Sequence, residues 1–234
     1  MSRTRVAGVD ACPAGWIRVE RCSPGELRAE VLTTAQLFAD AAEFSTMAID
    51  IPIGLSPNGD RLCDRRARAV LGAPRASSVF SAPPRDVLPA NSYTDACDRS
   101  FDACGKRMSR QAFGILPKIR DVDVELQRAR SLLPHVHEVH PEVSFSVMAG
   151  GKPMRHSKRT REGLEERLVL LQTHFGVAFT EFRTMFRVSV AHSDDIADAM
   201  VALWSAERIQ SGQQLALCDT VAVDACGIPM QIQA

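Results

Sequence analysis

The sequence of 234 residues predicts one α/β domain, in which a mixed five-stranded sheet is flanked by helices and a largely helical insertion follows the fourth strand. Three observations lead to this fold class. The chain begins with short apolar runs of strand length. Longer segments with apolar residues three and four apart follow them, as in amphipathic helices. Residues 60–133 carry mostly helical patterns, interrupted by a basic, proline-rich loop over 72–89, so the insertion is placed there.

The first part of the chain is predicted to contain four strands. Residues 12–15 (Cys-Pro-Ala-Gly) have the composition of a tight turn, so the apolar runs on either side form a β-hairpin. Thr33 and Gln36 have the spacing of a capping box, which begins a helix. The predicted elements are the hairpin over 6–20, a third strand over 27–32, a helix over 34–42 and a fourth strand over 47–51.

The remainder of the chain is predicted to be mostly helical, with one more strand. Ser92 and Asp95 have capping-box spacing, Pro117 suits the first turn of a helix, and Pro141 is expected to end a strand. The predicted elements are helices over 60–71 and 92–104, a helix that begins near 117 and carries an apolar stripe to 133, a strand over 135–140, helices over 161–175 and 194–210, and a terminal hairpin near 221 and 230.

Composition and charge limit the functions that the chain can have. The 28 Lys and Arg residues equal the 28 Asp and Glu residues, so contact with nucleic acid has to come from a local patch. No apolar run approaches the ~20 residues of a membrane-spanning helix, so no membrane contact is expected. The seven cysteines form no Cys-x-x-Cys pair and no signal peptide precedes the first strand, which predicts free thiols in the cytoplasm.

Acidic residues stand alone at the ends of predicted strands and on the last helix. A carboxylate is costly to bury without a partner, so one in an apolar strand predicts a partner nearby. For Asp10 the simpler alternative is that its side chain caps the hairpin turn. For Asp195 the alternative is that it stabilises the N-terminus of the last helix. The candidate catalytic acids are Asp10, Asp50, Glu138, Glu142, Asp195 and Asp198.

Convergence of these acids requires a cation. Carboxylates within a few Å of one another destabilise each other unless a cation neutralises them or one takes up a proton. With no Lys or Arg expected between them, the prediction is Mg²⁺ or Mn²⁺, because both ions prefer oxygen ligands. Two such ions ~3.5–4 Å apart activate water and stabilise the leaving oxygen of a phosphodiester. The expected metal ligands are Asp10, Asp50, Asp195 and Asp198.

Basic and histidine residues are the other candidates. Arg61 and Arg65 share one face of a predicted helix, although an ordinary solvated face explains them equally well. Lys152 and Lys158, in a basic loop, are not fixed by any motif. The candidates for substrate binding are Arg61, Arg65, Arg75, Arg85 and Lys118. The candidates for a general base are His140 and His192, with a structural role as the alternative for each.

Several motifs, in order along the chain, resemble one family. They are Gly8-Val9-Asp10-Ala11, Ile49-Asp50-Ile51-Pro52, Ser77-Ser78-Val79-Phe80-Ser81-Ala82-Pro83, Glu138-Val139-His140-Pro141-Glu142 and Asp195-Ile196-Ala197-Asp198-Ala199. This order resembles the family described as predicted RNase H-like nucleases, and the last motif is similar to the D-x-x-D-A of RuvC-type Holliday-junction resolvases. The resemblance implies an RNase H-like fold, a metal-dependent nuclease activity, and metal-ligand roles for Asp10, Asp195 and Asp198.

Two other function classes are compatible with such a fold. Actin-like sugar kinases share the core topology, but they carry a Gly-rich loop with a Thr after the first strand, where this chain has Pro13. A non-catalytic binding protein on the same fold is the other alternative. The sequence predicts nucleic acid as the partner and leaves the oligomeric state open, with a homodimer as one option.

Overall fold

The structure is a computed structural model that describes residues 5–23 and 25–234. Its strands are β1 (Arg5–Cys12), β2 (Gly15–Ser23), β3 (Glu26–Leu32), β4 (Phe44–Ile49), β5 (Val136–Val139), β6 (Ala222–Val223), β7 (Pro229–Met230) and β8 (Ile232–Gln233). Its α-helices are α1 (Thr34–Ala39), α2 (Leu62–Arg75), α3 (Tyr93–Cys104), α4 (Arg110–Arg128), α5 (Pro141–Met148), α6 (Arg161–Phe175), α7 (Ala178–Met185) and α8 (Ser193–Gln210). The expectation that no signal peptide precedes the first strand falls on residues 1–4, which lie outside the described residues.

Six of these strands form one mixed sheet in the order β3-β2-β1-β4-β5-β8. Strands β1, β2 and β3 are antiparallel neighbours, whereas β4 and β5 run parallel to β1, and β8 runs parallel to β5. The carboxyl ends of β1, β4 and β5 therefore meet at one edge of the sheet. Ligands of α/β proteins bind at such an edge.

The two faces of the sheet are covered by different helices. Alternate residues of β4 point to opposite faces, so Met47 and Ile49 join an apolar core with α1, α3 and α4, while Ala48 joins a second core under α6, α7 and α8. Helix α8 lies directly against β1. A Cβ atom on Gly8 would lie 1.9 Å from the backbone N of Leu203, so only glycine permits this close approach.

Many sequence predictions for local elements are confirmed. The hairpin forms around the predicted turn, where Gly15 adopts a φ of +143° and a Cβ would lie 2.3 Å from the carbonyl oxygen of Leu32. Thr33 and Gln36 make the predicted capping box at α1. Helix α6 has the predicted bounds, and β6 and β7 form the terminal hairpin. The seven cysteines are free thiols.

Other predictions for the fold are wrong. The sheet has six strands rather than five, because β8 adds to β5 through the pair Glu138 and Ile232. Pro117 lies inside α4, which begins at Arg110, because the buried apolar face of that helix continues across the proline. Pro141 does end the strand, but it also begins α5, a helix that the sequence analysis missed. Helix α7 was missed as well.

No described helix is long and apolar enough to cross a membrane.

Candidate metal centre

The carboxyl ends of the parallel strands open into a cleft of about 530 Å³. The opposite walls come from the start of α5, the start of α8 and two loops. The residues that line the cleft there are Arg75 at the end of α2, Ser77, Ser78, Val79 and Phe80 after it, and Ser157, Lys158 and Arg159 before α6. The candidate acids therefore face a space that is open to solvent.

Three carboxylates meet in this cleft. Asp10, Asp50 and Asp198 each offer one oxygen, and these oxygens lie within 4.8 Å of one another. The register of β1 and β4 places the first two together: Val9 pairs with Ile49, and the N–H of Asp50 donates to the Val9 carbonyl at 2.9 Å. Asp198 joins them because its helix, α8, packs closely against β1. The predicted convergence of Asp10, Asp50 and Asp198 is therefore present in the structure.

Burial and mutual repulsion perturb the three acids. Burial raises the pKa of Asp10 well above its usual range, and the charges of Asp50 and Asp198 raise it further. Burial also raises the pKa of Asp50 to about 7, although the nearby ammonium of Lys158 opposes the shift. Oδ1 of Asp198 is buried and has no hydrogen-bond partner among the described residues. The cluster thus has more negative charge and more acceptor atoms than its surroundings satisfy.

Lys158 lies beside this cluster, contrary to the prediction. The sequence analysis expected no Lys or Arg between the converging acids, but Nζ of Lys158 donates to Oδ2 of Asp198. The charges of Asp198, Asp10 and Asp50 raise the pKa of Lys158 above its ordinary value. Lys158 reaches the acids from the basic loop before α6, which no local motif connects to them. The site therefore combines three carboxylates with one ammonium.

Asp195 occupies a separate position one turn earlier in α8. It accepts the backbone N–H of His192 at 2.8 Å, and its side chain closes the N-terminal cap of the helix. It lines the cleft, but it is grouped with His192 and Asp194 rather than with the three converging acids. The alternative that Asp195 stabilises the N-terminus of the last helix thus accounts for its contacts. His192, predicted as a general base, does not line the cleft, and its side chain is 51% exposed.

Glu138 and Arg61 form a buried ion pair with each other. Glu138 was predicted as a catalytic acid and Arg61 as a contact to the substrate. Nη2 of Arg61 lies 2.6 Å from Oε1 of Glu138, and the N–H of Ile53 donates to Oε2 at 2.7 Å. Arg61 is 2% exposed and also pairs with Asp64. Its guanidinium is saturated by protein acceptors, so it cannot serve as the predicted contact to a substrate. Glu138 likewise has both oxygens engaged and is no free ligand.

Glu142 and His140 line the wall of the cleft, and each has a buried atom without a partner among the described residues. Oε1 of Glu142 accepts from Arg167, but Oε2 has no partner among the described residues, and neither does Nδ1 of His140. Burial lowers the pKa of His140, so the imidazole is neutral near pH 7. A neutral imidazole beside the acids has the chemistry of a proton acceptor. The structure therefore leaves both residues in reach of a ligand in the cleft.

The family of the chain follows from a comparison with protein-family models. The model described as "Protein of unknown function (DUF429)" matches residues 8–222. The chain belongs to this family. The match includes Asp10, Asp50, Lys158 and Asp198 and ends before β7. Searches of curated proteins and of solved structures found no match.

In this DUF429 protein the other predicted substrate-binding residues are mostly held by protein partners. Arg85 pairs with Asp123 and Asp224. Lys118 donates to the carbonyl of Gly15 and lies 4.5 Å from the centre of the Trp16 ring. These contacts anchor loops and the hairpin.

Two further members of that predicted set retain some freedom. Arg65 is exposed and pairs with Asp60 at the surface, outside the cleft of the acids. Arg75 does line that cleft, and its Nε is buried without a partner among the described residues. The sequence analysis missed the adjoining Arg159, which lies in the same wall as Lys158. The basic composition of the loop before α6 was the sequence signal from which Arg159 could have been found.

Proposed function

We propose that the protein is a divalent-metal-dependent nuclease that hydrolyses phosphodiester bonds, with Mg²⁺ or Mn²⁺ held by Asp10, Asp50 and Asp198. The observation that carries this proposal is the meeting of three carboxylates, two buried and one partly buried, at the open edge of the sheet, with their oxygens within 4.8 Å of one another. When bound, either ion supplies Lewis-acid stabilisation of the negative charge that develops on a phosphodiester during hydrolysis.

The donor set fits a hard divalent cation. The three converging groups offer only oxygen atoms, which suit Mg²⁺ and Mn²⁺ and disfavour softer ions that prefer thiolate or imidazole. The buried Oδ1 of Asp198 lacks a partner among the described residues, so one acceptor stands ready for a cation. Burial is the main cause of the raised pKa values of Asp10 and Asp50, and the charges of neighbouring carboxylates add to it.

The ammonium of Lys158 bears on how many ions the site holds. The sequence predicts two ions, but Lys158 already contacts Oδ2 of Asp198 and supplies part of the positive charge that a second ion would supply. We therefore assign one ion to the three acids. A second ion would need Asp195 together with its neighbours His192 and Asp194, which group separately.

Residues of the chain itself can bind and orient the substrate. Lys158, Arg159 and Arg75 line the cleft and can contact phosphate oxygens. His140 lines the cleft, is neutral and has no partner at Nδ1 among the described residues, so it can hold a proton taken from an attacking water. Glu142 can orient that water through its free Oε2.

The order of the strands supports the RNase H-like part of the proposal. The three antiparallel strands and the two strands parallel to β1, in the order β3-β2-β1-β4-β5, are compatible with the RNase H-like fold that we propose. Asp10 on β1 and Asp198 on the last long helix stand where that resemblance implies metal ligands. A likeness of fold does not by itself establish activity, so the site has to be tested directly.

The test is cleavage of labelled oligonucleotides by the purified protein with Mn²⁺ or Mg²⁺. Asp10→Asn and Asp198→Asn are each expected to reduce the rate at least 100-fold, because each removes a charge from the ion's ligands. Asp102→Asn changes an exposed carboxylate of α3 and serves as the matched control. Cleavage that survives Asp10→Asn at the control rate would refute the mechanism. Metal binding without cleavage would identify a binding protein instead.

A further inference from the structure

A second cleft adjoins the cleft of the acids. It has a volume of about 780 Å³ and lies between the segment after α2 and the far end of α3. Phe80 lines both clefts, so its ring stands at the junction between them. Phe80 is a large apolar residue, and 43% of its surface is accessible. An exposed aromatic ring beside a candidate active site is suited to stacking against a ligand with a flat apolar face.

The backbone on both sides of Phe80 is held in place. Nε of Arg68 donates to the carbonyl of Val79 at 3.1 Å, and Nη2 donates to Oγ of Ser81 at 2.9 Å. The N–H of Ala82 donates to Oδ2 of the buried Asp64 at 3.1 Å. These bonds fix the segment to α2, so the ring is presented from a rigid support. Because this backbone is already ordered, a ligand that binds the ring loses little entropy through ordering of the segment.

The lining of the second cleft is basic. Its charged side chains are Arg65, Arg68, Lys106, Arg107 and Asp60, four cations and one carboxylate. Arg107 has a side chain that is 67% exposed and only a 3.5 Å ion pair with Asp98, which leaves most of its donors to solvent. The whole chain is neutral, so this excess is a local feature. It is the kind of patch through which a neutral protein contacts a polyanion.

We propose that the second cleft binds single-stranded nucleic acid, with a base stacked on Phe80 and the sugar-phosphate backbone along Arg65, Lys106 and Arg107. The strand then continues past Phe80 into the cleft of the acids. Stacking on a protein ring requires an unpaired base, which a duplex does not present. This inference rests on the proposed function and narrows its substrate class to single strands.

The first experiment measures binding without metal, so that it does not depend on cleavage. Fluorescein-labelled 20-mer single-stranded DNA, the same sequence as RNA, and the DNA duplex are titrated with the protein in EDTA, and fluorescence anisotropy is followed. Phe80→Ala is expected to weaken single-strand binding roughly 5- to 100-fold, the range for loss of one stacked base. Phe80→Trp is expected to retain it. The two single strands decide between DNA and RNA.

A matched control and a charge variant separate stacking from general effects. Phe101→Ala removes another exposed phenylalanine, 54% accessible, which lines neither cleft, and is expected to leave the affinity unchanged. Arg107→Ala is expected to lower the slope of log affinity against log salt by about 0.7, the value for one phosphate contact on a single strand. Arg161→Ala, an exposed arginine of α6 far along the chain, is its control.

Each outcome decides the inference. Equal affinities of Phe80→Ala and Phe101→Ala, equal binding of duplex and single strand, or no binding by the parent protein would overturn it. Loss of cleavage in Asp10→Asn together with unchanged single-strand affinity in Phe80→Ala would uphold the nuclease and reject the second cleft. Weak binding by Phe80→Ala in a protein that never cleaves would uphold the cleft and reject the nuclease.

Discussion

Two groups of buried acids line the same cleft, and they differ in how well they are neutralised. In the first, the guanidinium of Arg61 pairs with both Asp64 and Glu138. Backbone N–H groups of Ile53 and Ala82 complete the hydrogen bonds of these two carboxylates. The first group is thus a closed network.

The second group, Asp10, Asp50 and Asp198, is short of donors. Lys158 donates to Asp198, the N–H of Ala11 donates to Oδ1 of Asp10 at 2.7 Å, and Oδ1 of Asp198 has no partner among the described residues. The comparison of the two groups shows that a buried acid at a strand end does not by itself identify a metal site. What distinguishes the second group is its unmet demand for positive charge.

The largest effect is expected from breaking the closed group. Arg61→Met leaves Asp64 and Glu138 buried without their cation, so the free energy of unfolding is expected to fall by about 3–5 kcal/mol. Urea unfolding followed by circular dichroism measures it. Arg65→Met, on the exposed side of the same helix, is the control and is expected to cost less than about 1 kcal/mol. Equal, small losses for both variants would mean that the Arg61 network is not structural.

In the second group, replacing an acid is expected to raise the free energy of unfolding when no metal is present. The pKa of Asp50 rises from 3.8 to about 7 on folding, so the folded state holds this proton more tightly than the unfolded state. Its contribution to stability is therefore full at low pH and is lost as pH rises through this window. Asp50→Asn removes the loss. The variant is expected to be more stable than the parent by roughly 1–3 kcal/mol at pH 8 in EDTA, with the gain shrinking toward pH 5.

Urea unfolding at both pH values measures this difference. A variant that is less stable than the parent at pH 8, by the same amount as at pH 5, would show that the surroundings of Asp50 stabilise its carboxylate and would contradict this account.

A smaller effect is expected from the ammonium that partly neutralises the second group. Lys158→Met removes a charge that competes with a metal ion for Asp198, so the Mn²⁺ affinity is expected to rise roughly tenfold, about 1.4 kcal/mol. Isothermal titration calorimetry measures the affinity and the number of ions. Lys152→Met, an exposed lysine of the same loop, is the control. Weaker Mn²⁺ binding by Lys158→Met would indicate that the lysine organises the acids rather than competing with the ion.

Local signals in the sequence sufficed for much of the fold. The turn at residues 12–15, the capping box at Thr33 and the apolar stripe of α6 depend on neighbours within a few residues, and these predictions are confirmed. Strand β8 was missed because it has two residues and joins the sheet through β5, which is far away in the chain. Helix α5 was missed because Pro141 suits both the end of a strand and the first position of a helix.

The site was predicted only in part, for the same reason. Strand ends and helix spacing sufficed to include Asp10, Asp50 and Asp198 among the candidate ligands, but they did not separate Asp198 from Asp195. The same pattern selected Glu138, because its partner Arg61 stands 77 residues away and no local signal connects them. Lys158 likewise reaches Asp198 across 40 residues from a loop without a motif. Which acids are neutralised is a property of tertiary contacts, which the sequence pattern does not contain.

The most direct test of the metal centre is a Mn²⁺ titration of stability in the parent protein and in Asp10→Asn. An ion that binds only the folded state stabilises it by mass action, by about 2.7 kcal/mol at a concentration 100 times its dissociation constant. Thermal unfolding monitored over increasing Mn²⁺ gives the measurement. The parent is predicted to be stabilised progressively, and Asp10→Asn to respond little. A parent that is indifferent to Mn²⁺, or a variant that responds equally, would contradict the assignment of Asp10, Asp50 and Asp198 as a metal site.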